Sequence, residues 1–351
     1  MCMKNTHEWE SILARSVHAP SGDNSQPWKF NISDDGLSVL NVRGRDATLY
    51  NFNERGSYLG HGALCENISL VAGVAGLKTE IVPFPRSPNS TAHISVSEIQ
   101  PEVDPLHEHI ETRTTNRKPY NKQPLSDDVR RSLLSSFSFE GVRVVLTDNA
   151  QAVDRLATTV NLNERLLFEN QHLHDFLFGM IRWSVKEENE KPGLYIKTME
   201  FPVPLQFLLK HVFRHWAVVR MLNVIGLSKA IPASSADLYK TSSAFGAIII
   251  SGTDDASFFT AGRALQRFWL TATKLGVSFQ PVTAIPYLAQ RIEAKEADQI
   301  SPEHQTLIMK ANAVISEEFA LSNTETIAML FRIGYGDTPT ATSAKLPPVI
   351  L

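Results

Sequence analysis

Five residues of this chain recur at one constant spacing. Two hundred positions after Gly62, Leu70, Ala72, Gly76 and Val82 stand Gly262, Leu270, Ala272, Gly276 and Val282. Both sets fall in the same order of patterns: a helix with a glycine near its start, a glycine at its end, and an apolar strand that meets a proline. A repeat of this length means two copies of one layout. The helices are expected over Tyr58–Ala75 and Ser257–Leu275, and the strands after them at Ile81–Val82 and Val277–Thr283. Further strands are expected at Lys29–Ile32 and Leu37–Val42, joined as a hairpin by Asp34-Asp35-Gly36. Others follow at His93–Ile99, Val142–Leu146, Ala244–Ser251 and Ala328–Gly334. Helices are expected at Pro105–Glu111, Ala152–Glu169, Tyr287–Gln299 and Pro302–Phe319. The fold class is α+β.

The two copies are not equivalent in their polar segments. The first carries Ala19-Pro20-Ser21-Gly22-Asp23-Asn24-Ser25-Gln26-Pro27-Trp28. A helix patterned on Trp9, Ile12, Leu13 and Val17 must end before Pro20, and a strand starts at Trp28. The short amide and hydroxyl side chains between them suit a flat polar ligand; the bland reading is an ordinary polar connection. The second copy carries Arg113-Thr114-Thr115-Asn116-Arg117-Lys118. Cations and hydroxyls at this density suit a phosphate, and a solvated basic turn accounts for them equally well.

The first of these strings resembles the A-P-S-x-x-N-S-Q-P-W signature of the nitroreductase family of flavin enzymes. In that family the loop contacts the flavin of the opposite subunit in an intertwined homodimer. Arg113, Thr115 and Arg117 resemble the family's R-x-S-x-R phosphate motif, with threonine keeping the hydroxyl. Ala344-Lys345-Leu346-Pro347 resembles its S-R-L-P tail, with lysine for arginine. Gln280-Pro281-Val282-Thr283-Ala284 matches the strand that presents backbone groups to the reactive edge of the flavin; many relatives have an acidic residue where Thr283 stands. The first copy has no phosphate motif, since Met1–Ser16 offers only Lys4 and Arg15, and the second has no polar loop. The resemblance therefore implies a nitroreductase-like (FMN-dependent) fold with two homologous halves fused as an intramolecular pseudo-dimer. One half would span 1–104 and the other 105–351, with one composite site for one FMN. The implied cofactor-binding residues are Pro20, Ser21, Gly22, Asn24, Gln26, Arg113, Thr114, Thr115, Arg117, Pro281, Val282, Thr283, Ala284 and Lys345. Asn24 and Gln26 would be hydrogen-bond donors near the flavin ring. The fused layout, with its Arg113-Thr114-Thr115-Asn116-Arg117 string and with Gly262-Arg263-Ala264-Leu265-Gln266-Arg267 in its long helix, is most similar to the Acg-like subgroup. NAD(P)H as electron donor and a nitroaromatic or quinone-type acceptor are what the resemblance implies. A flavin-binding or storage protein with little turnover is the alternative.

Composition narrows the remaining classes. A formal net charge of −3 gives no reason to expect nucleic acid or a stable membrane partner. Cys2 and Cys65 are the two cysteines, with no metal-ligand spacing. No apolar run is long enough to span a bilayer, no signal peptide is legible, and a cytoplasmic monomer or homodimer is expected. His107 with His109, and His211 with His215, lack the further ligands a metal needs. No GxGxxG or P-loop points to a separate nucleotide-binding domain. The region from about 168 to 239 has no counterpart in the first half. Its apolar pattern over Leu205–Ile225, interleaved with Lys210, His211, Arg214, His215 and Arg220, is expected to be one long basic amphipathic helix. Such a helix can cover a cleft as a lid or lie on a membrane; a lid over the flavin is the expectation.

Overall fold

The computed structural model describes residues 6–101 and 103–351; Cys2 and Lys4 lie outside the described residues. The first half opens with α1 (Thr6–Ser16), which buries Trp9, Ile12 and Leu13 on one face. Strands β1 (Trp28–Ser33) and β2 (Gly36–Asn41) form the expected hairpin, with Ser33 paired to Gly36. Gly36 has φ +142°, and a Cβ there would lie 2.2 Å from the Ile94 carbonyl oxygen, so the turn demands glycine. Helix α2 (Arg55–Val74) follows, then β3 (Leu77–Pro83) and β4 (Ser90–Glu98). The four strands form an antiparallel sheet in the order β1-β2-β4-β3.

The second half repeats this plan. After α3 (Asp127–Leu134), capped by the Ser126 hydroxyl, comes β5 (Val142–Thr147). The pattern expected to be one helix over Ala152–Glu169 is two, α4 (Ala150–Val160) and α5 (Leu162–Glu169), which meet at Asn161. Helix α6 (Gln171–Met180) leads to a small parallel pair, β6 (Ile181–Arg182) and β7 (Leu194–Tyr195), with α7 (Val185–Glu190) between them.

The expected long helix over Leu205–Ile225 is not continuous. It divides into α8 (Val203–Leu208), a π-helical turn at Leu209–Phe213 and α9 (Trp216–Asn223), with a left-handed Gly226 before α10 (Leu227–Tyr239). The reason lies in what its apolar residues touch. Leu209 joins Ile181, Tyr195 and Ile196 in one small core, whereas Val219 joins the large core of Leu166, Phe168 and Tyr239. One stripe that must serve two cores has to bend between them.

The chain then runs through β8 (Ala244–Ser251), α11 (Asp255–Lys274), β9 (Ser278–Pro281), α12 (Ala284–Glu293), α13 (Pro302–Glu318) and β10 (Glu325–Gly334). The second sheet has the order β5-β8-β10-β9, again antiparallel. Taking each half's strands in sequence, both sheets read first, second, fourth, third. Helices α2 and α11 have the same length, begin and end two hundred residues apart, and close on left-handed Gly76 and Gly276.

These two helices cross in direct backbone contact and exchange side chains. Phe259 and Leu270 of α11 lie in the first half's core, and Tyr58 and Leu59 of α2 lie in the second's. The far end of the chain also crosses over. The Phe30 N–H donates to the Val349 carbonyl and the Leu351 N–H to the Phe30 carbonyl, both at 2.9 Å, so the tail extends the first sheet. Among the described residues no helix is long and apolar enough to cross a membrane.

Candidate functional site

The crossing of α2 and α11 leaves a cavity of about 500 Å³ between the halves, within the size range of cofactor sites. Pro20, Ser21, Gly22 and Asn24 line it from the first half. Arg113, Thr114, Thr115, Arg117, Pro281, Val282, Thr283, Ala284 and Lys345 line it from the second. Gln26 is the exception. Its Oε1 accepts the Leu346 N–H at 2.9 Å, and its Nε2 reaches the Asn24 carbonyl at 3.4 Å. The side chain expected to face a ligand is instead spent on holding the tail.

Asn24 lines the cavity, yet its polar atoms are also engaged. Its Nδ2 donates to the carbonyls of Gly193 at 2.9 Å and Ala344 at 3.0 Å, and its Oδ1 accepts from Lys345 Nζ at 2.6 Å. It ties the loop to the inserted region and to the tail. The loop can make these turns because Asp23, Asn24 and Gln26 all sit at positive φ, a conformation asparagine tolerates better than most residues. Gly22 leaves room for Asp46: a Cβ there would fall 2.8 Å from Asp46 Oδ2 and displace that carboxylate.

The cations fall into two groups. Arg113 is buried; its Nη2 donates to the His18 carbonyl at 3.0 Å, and its guanidinium lies 4.3 Å from the Trp269 ring centre. Its Nε is buried without a hydrogen-bond partner. Lys345 Nζ donates to the Ala19 carbonyl at 2.9 Å, beside its bond to Asn24. Burial, and then the charge of Arg113, hold the Lys345 ammonium well below the usual lysine range. Burial likewise disfavours charge on Arg113, with no carboxylate offsetting it. Glu111, which also lines the cavity, is paired with Arg15 at 3.0 Å. A buried and a half-buried cation side by side without a counter-charge are costly unless an anion joins them.

Arg117 belongs to the other group. It donates to the Thr198 carbonyl at 3.1 Å and has Asp23 as its main favourable charge neighbour. Around it are residues that no motif announced. The Tyr50 hydroxyl donates to Asn163 Oδ1 at 2.6 Å and the Tyr239 hydroxyl to Glu164 Oε1 at 3.4 Å. Burial raises the Glu164 carboxyl above its ordinary range. Trp269 could have been found from the repeat, because it sits on the duplicated helix. Tyr50 and Asn163 had no signal, being far apart in sequence.

The remaining wall is β9 running into α12. The Val282 N–H donates to the Leu330 carbonyl at 2.8 Å, and Thr283 Oγ1 donates to the same carbonyl and accepts the Leu330 N–H, each at 3.0 Å. Thr283 is thus turned toward β10 and caps nothing, and α12 starts at Ala284 without a side-chain cap. The first helical N–H groups have no acceptor within the helix, so this end offers backbone donors where it borders the cavity. The roof is Leu194 and Thr198 with the tail residues Thr342 to Lys345. No residue of α8 or α9 lines the cavity, so the helix expected as its lid lies elsewhere.

The position related to this site by the repeat is lined differently, by Glu66, Ser69 and Arg267 around a second cavity of about 500 Å³. Phe84, two hundred residues before Ala284, packs edge-on against Tyr58 at 4.9 Å and Phe259 at 6.1 Å. Nearby Arg263 and Arg267 pair with Glu66, each at 2.9 Å, and Arg267 also with Asp104 at 2.7 Å.

Fold and site together define an α+β protein in which two halves of the same strand order, each built on one copy of the repeat, meet around a shared cavity. No protein-family model matches the chain. Among curated proteins it is 23% identical over 344 residues to an uncharacterized protein of Mycobacterium tuberculosis (strain CDC 1551 / Oshkosh), covering 96% of this chain and 47% of that protein. It is 26% identical over 183 residues to the putative NAD(P)H nitroreductase Acg of the same organism, covering 50% of this chain and 54% of that one. The chain thus spans about half the length of these curated relatives. Among solved structures, a nitroreductase with bound FMN from Bacteroides fragilis NCTC 9343 is similar at 11% identity and a TM-score of 0.38, covering 69% of this chain and 96% of that one.

Proposed function

We propose that the chain is an FMN-dependent oxidoreductase that takes electrons from NAD(P)H and passes them to a nitroaromatic or quinone-type acceptor. The observation that carries this reading is the pair of neighbouring cations, buried Arg113 and half-buried Lys345, which face the cavity with no carboxylate paired to either. A phosphate monoester supplies the missing charge, and the unpartnered Arg113 Nε supplies a donor for it. Thr114 and Thr115 continue the wall, and the 281–284 segment with Trp269 borders the space left for a flat ring. FMN, when bound, supplies the two-electron chemistry; the protein binds and orients it. Arg117, Glu164 and the two tyrosines bring the polar groups that would meet the ring's edge or a second substrate. The nicotinamide donor follows the name of the Acg relative.

Storage of the flavin rested on a long helix closing over it, and the absence of α8 and α9 from the cavity lining favours turnover instead. The test is the visible spectrum of the purified protein, followed by NADPH without air. The expected result is a yellow protein that bleaches and regains colour on addition of a quinone. A yellow protein that stays oxidised would remove the oxidoreductase reading, and a colourless one that takes up no FMN would remove the flavin site itself.

A further inference from the structure

The segment that does not cover the cavity has an unusual surface. Val203, Phe207, Met221, Val224 and Ile225 are 77%, 61%, 65%, 87% and 80% exposed. Elsewhere among the described residues the exposed large apolar side chains are more scattered, as at Val74, Leu134 and Val185, which is ordinary. Here they stand on α8, in the last turn of α9 and on the two residues that follow it, in a segment already anchored inward by Leu209 and Val219. The exposed side chains are therefore surplus to packing.

The charges in the same segment all have one sign. Between Glu200 and Asp237 the sequence contains no aspartate or glutamate, in a chain whose net charge is −3. Arg214, Arg220, His211 and His215 are exposed, and Lys210 is half-buried. Cations among protruding apolar tips match an anionic lipid surface: the tips enter the boundary between headgroups and acyl chains while the cations stay with the headgroups. A second copy of this face fits poorly. A two-fold interface sets a surface against itself, and here that would bring cations against cations.

We infer that Val203–Ile225 is a docking surface for an anionic phospholipid bilayer, on which the protein lies without spanning it. The consequence for the cavity is direct. Leu205, Leu209 and Phe213 pack on Tyr195 and Ile196, in the short stretch whose Leu194 and Thr198 roof the cavity. Docking would hold that roof close to the bilayer, where lipid-soluble molecules are concentrated.

The experiment is co-sedimentation of the full chain with phosphatidylcholine vesicles, with and without about 30 mol % phosphatidylglycerol. Binding is expected to the anionic vesicles alone and to weaken steeply as salt rises. Removing each cation should weaken it about fivefold, so Arg214→Gln with Arg220→Gln should cost about twenty-five-fold. Val224→Ser with Ile225→Ser should also release the protein. These side chains are exposed, and an unchanged circular dichroism spectrum will show that the variants fold. Failure to bind anionic vesicles at low salt would overturn the inference, as would equal binding to neutral ones. A wild-type dimer that the Val224→Ser, Ile225→Ser variant dissociates, with no vesicle binding, would assign this face to a second copy instead.

Discussion

Gly62 of α2 and Gly262 of α11 lie where the two helices cross. A Cβ on Gly62 would stand 1.9 Å from the Phe259 carbonyl oxygen, and one on Gly262 would stand 2.0 Å from that of Leu59. The two contacts are near mirror images in the repeat, since Leu59 and Phe259 are themselves two hundred residues apart. Backbone cannot yield as a flexible side chain can, so either glycine to alanine must push the halves apart. Gly62→Ala and Gly262→Ala should each lose about 3 kcal/mol or more, toward the upper end of overpacking costs, in urea unfolding. Gly179→Ala, a helical glycine with open space around it, should be neutral or mildly stabilising. Equal behaviour of the three would show that the crossing is not tight.

The two arginines of the second-half motif should behave differently. Arg113→Ala removes a charge-assisted contact worth about 1.5–3 kcal/mol, or one to two decades in FMN affinity. Riboflavin, which lacks the phosphate, should hardly respond. Arg117→Ala, in the group with Asp23 and Glu164, should weaken FMN and riboflavin together. Titration of both flavins against both variants checks this; a phosphate-dependent loss at Arg117 would reverse the assignment.

One flavin per chain is expected, because the first half has no counterpart of the Arg113–Arg117 string and the second none of the Ala19–Trp28 loop. Native mass spectrometry reads this directly, and a species carrying two flavins per chain would contradict it.

His61 should make the protein sensitive to mild acid. It is fully buried between Thr91 Oγ1, at 2.6 Å from Nδ1, and the Pro27 carbonyl, at 3.0 Å from Nε2. Burial lowers its pKa from 6.5 to about 4. The unfolded chain therefore takes up a proton below pH 6.5 that the folded chain refuses until about pH 4. The stabilisation is complete above pH 6.5 and is lost progressively as pH falls toward 4, at most about 3 kcal/mol. A His61→Asn variant should start less stable and show a flatter pH profile over that window.

The sequence itself carried the duplication, since a helix that crosses its twin must keep small residues at the crossing and a left-handed glycine at its end. Those needs are local and leave fixed letters at Gly62, Gly76, Gly262 and Gly276. The polar loop and the Arg113–Arg117 string were legible for the same reason: backbone turns and charge density are set by neighbours in the chain. Leu205–Ile225 was misread as one continuous helix because an amphipathic stripe says only that apolar residues need a surface, not whether one surface or two will receive them.

What the tertiary structure alone decided is which polar groups are left over to face the cavity. Gln26 and Asn24 have the right chemistry for a ligand, but the tail, more than three hundred residues away, claims most of their hydrogen-bonding capacity. Tyr50 meets Asn163, and Arg117 meets Thr198, through chain crossings that no local pattern encodes. A side chain's donors and acceptors are finite. Residue type fixes how many there are, and only the packed fold determines which are already taken.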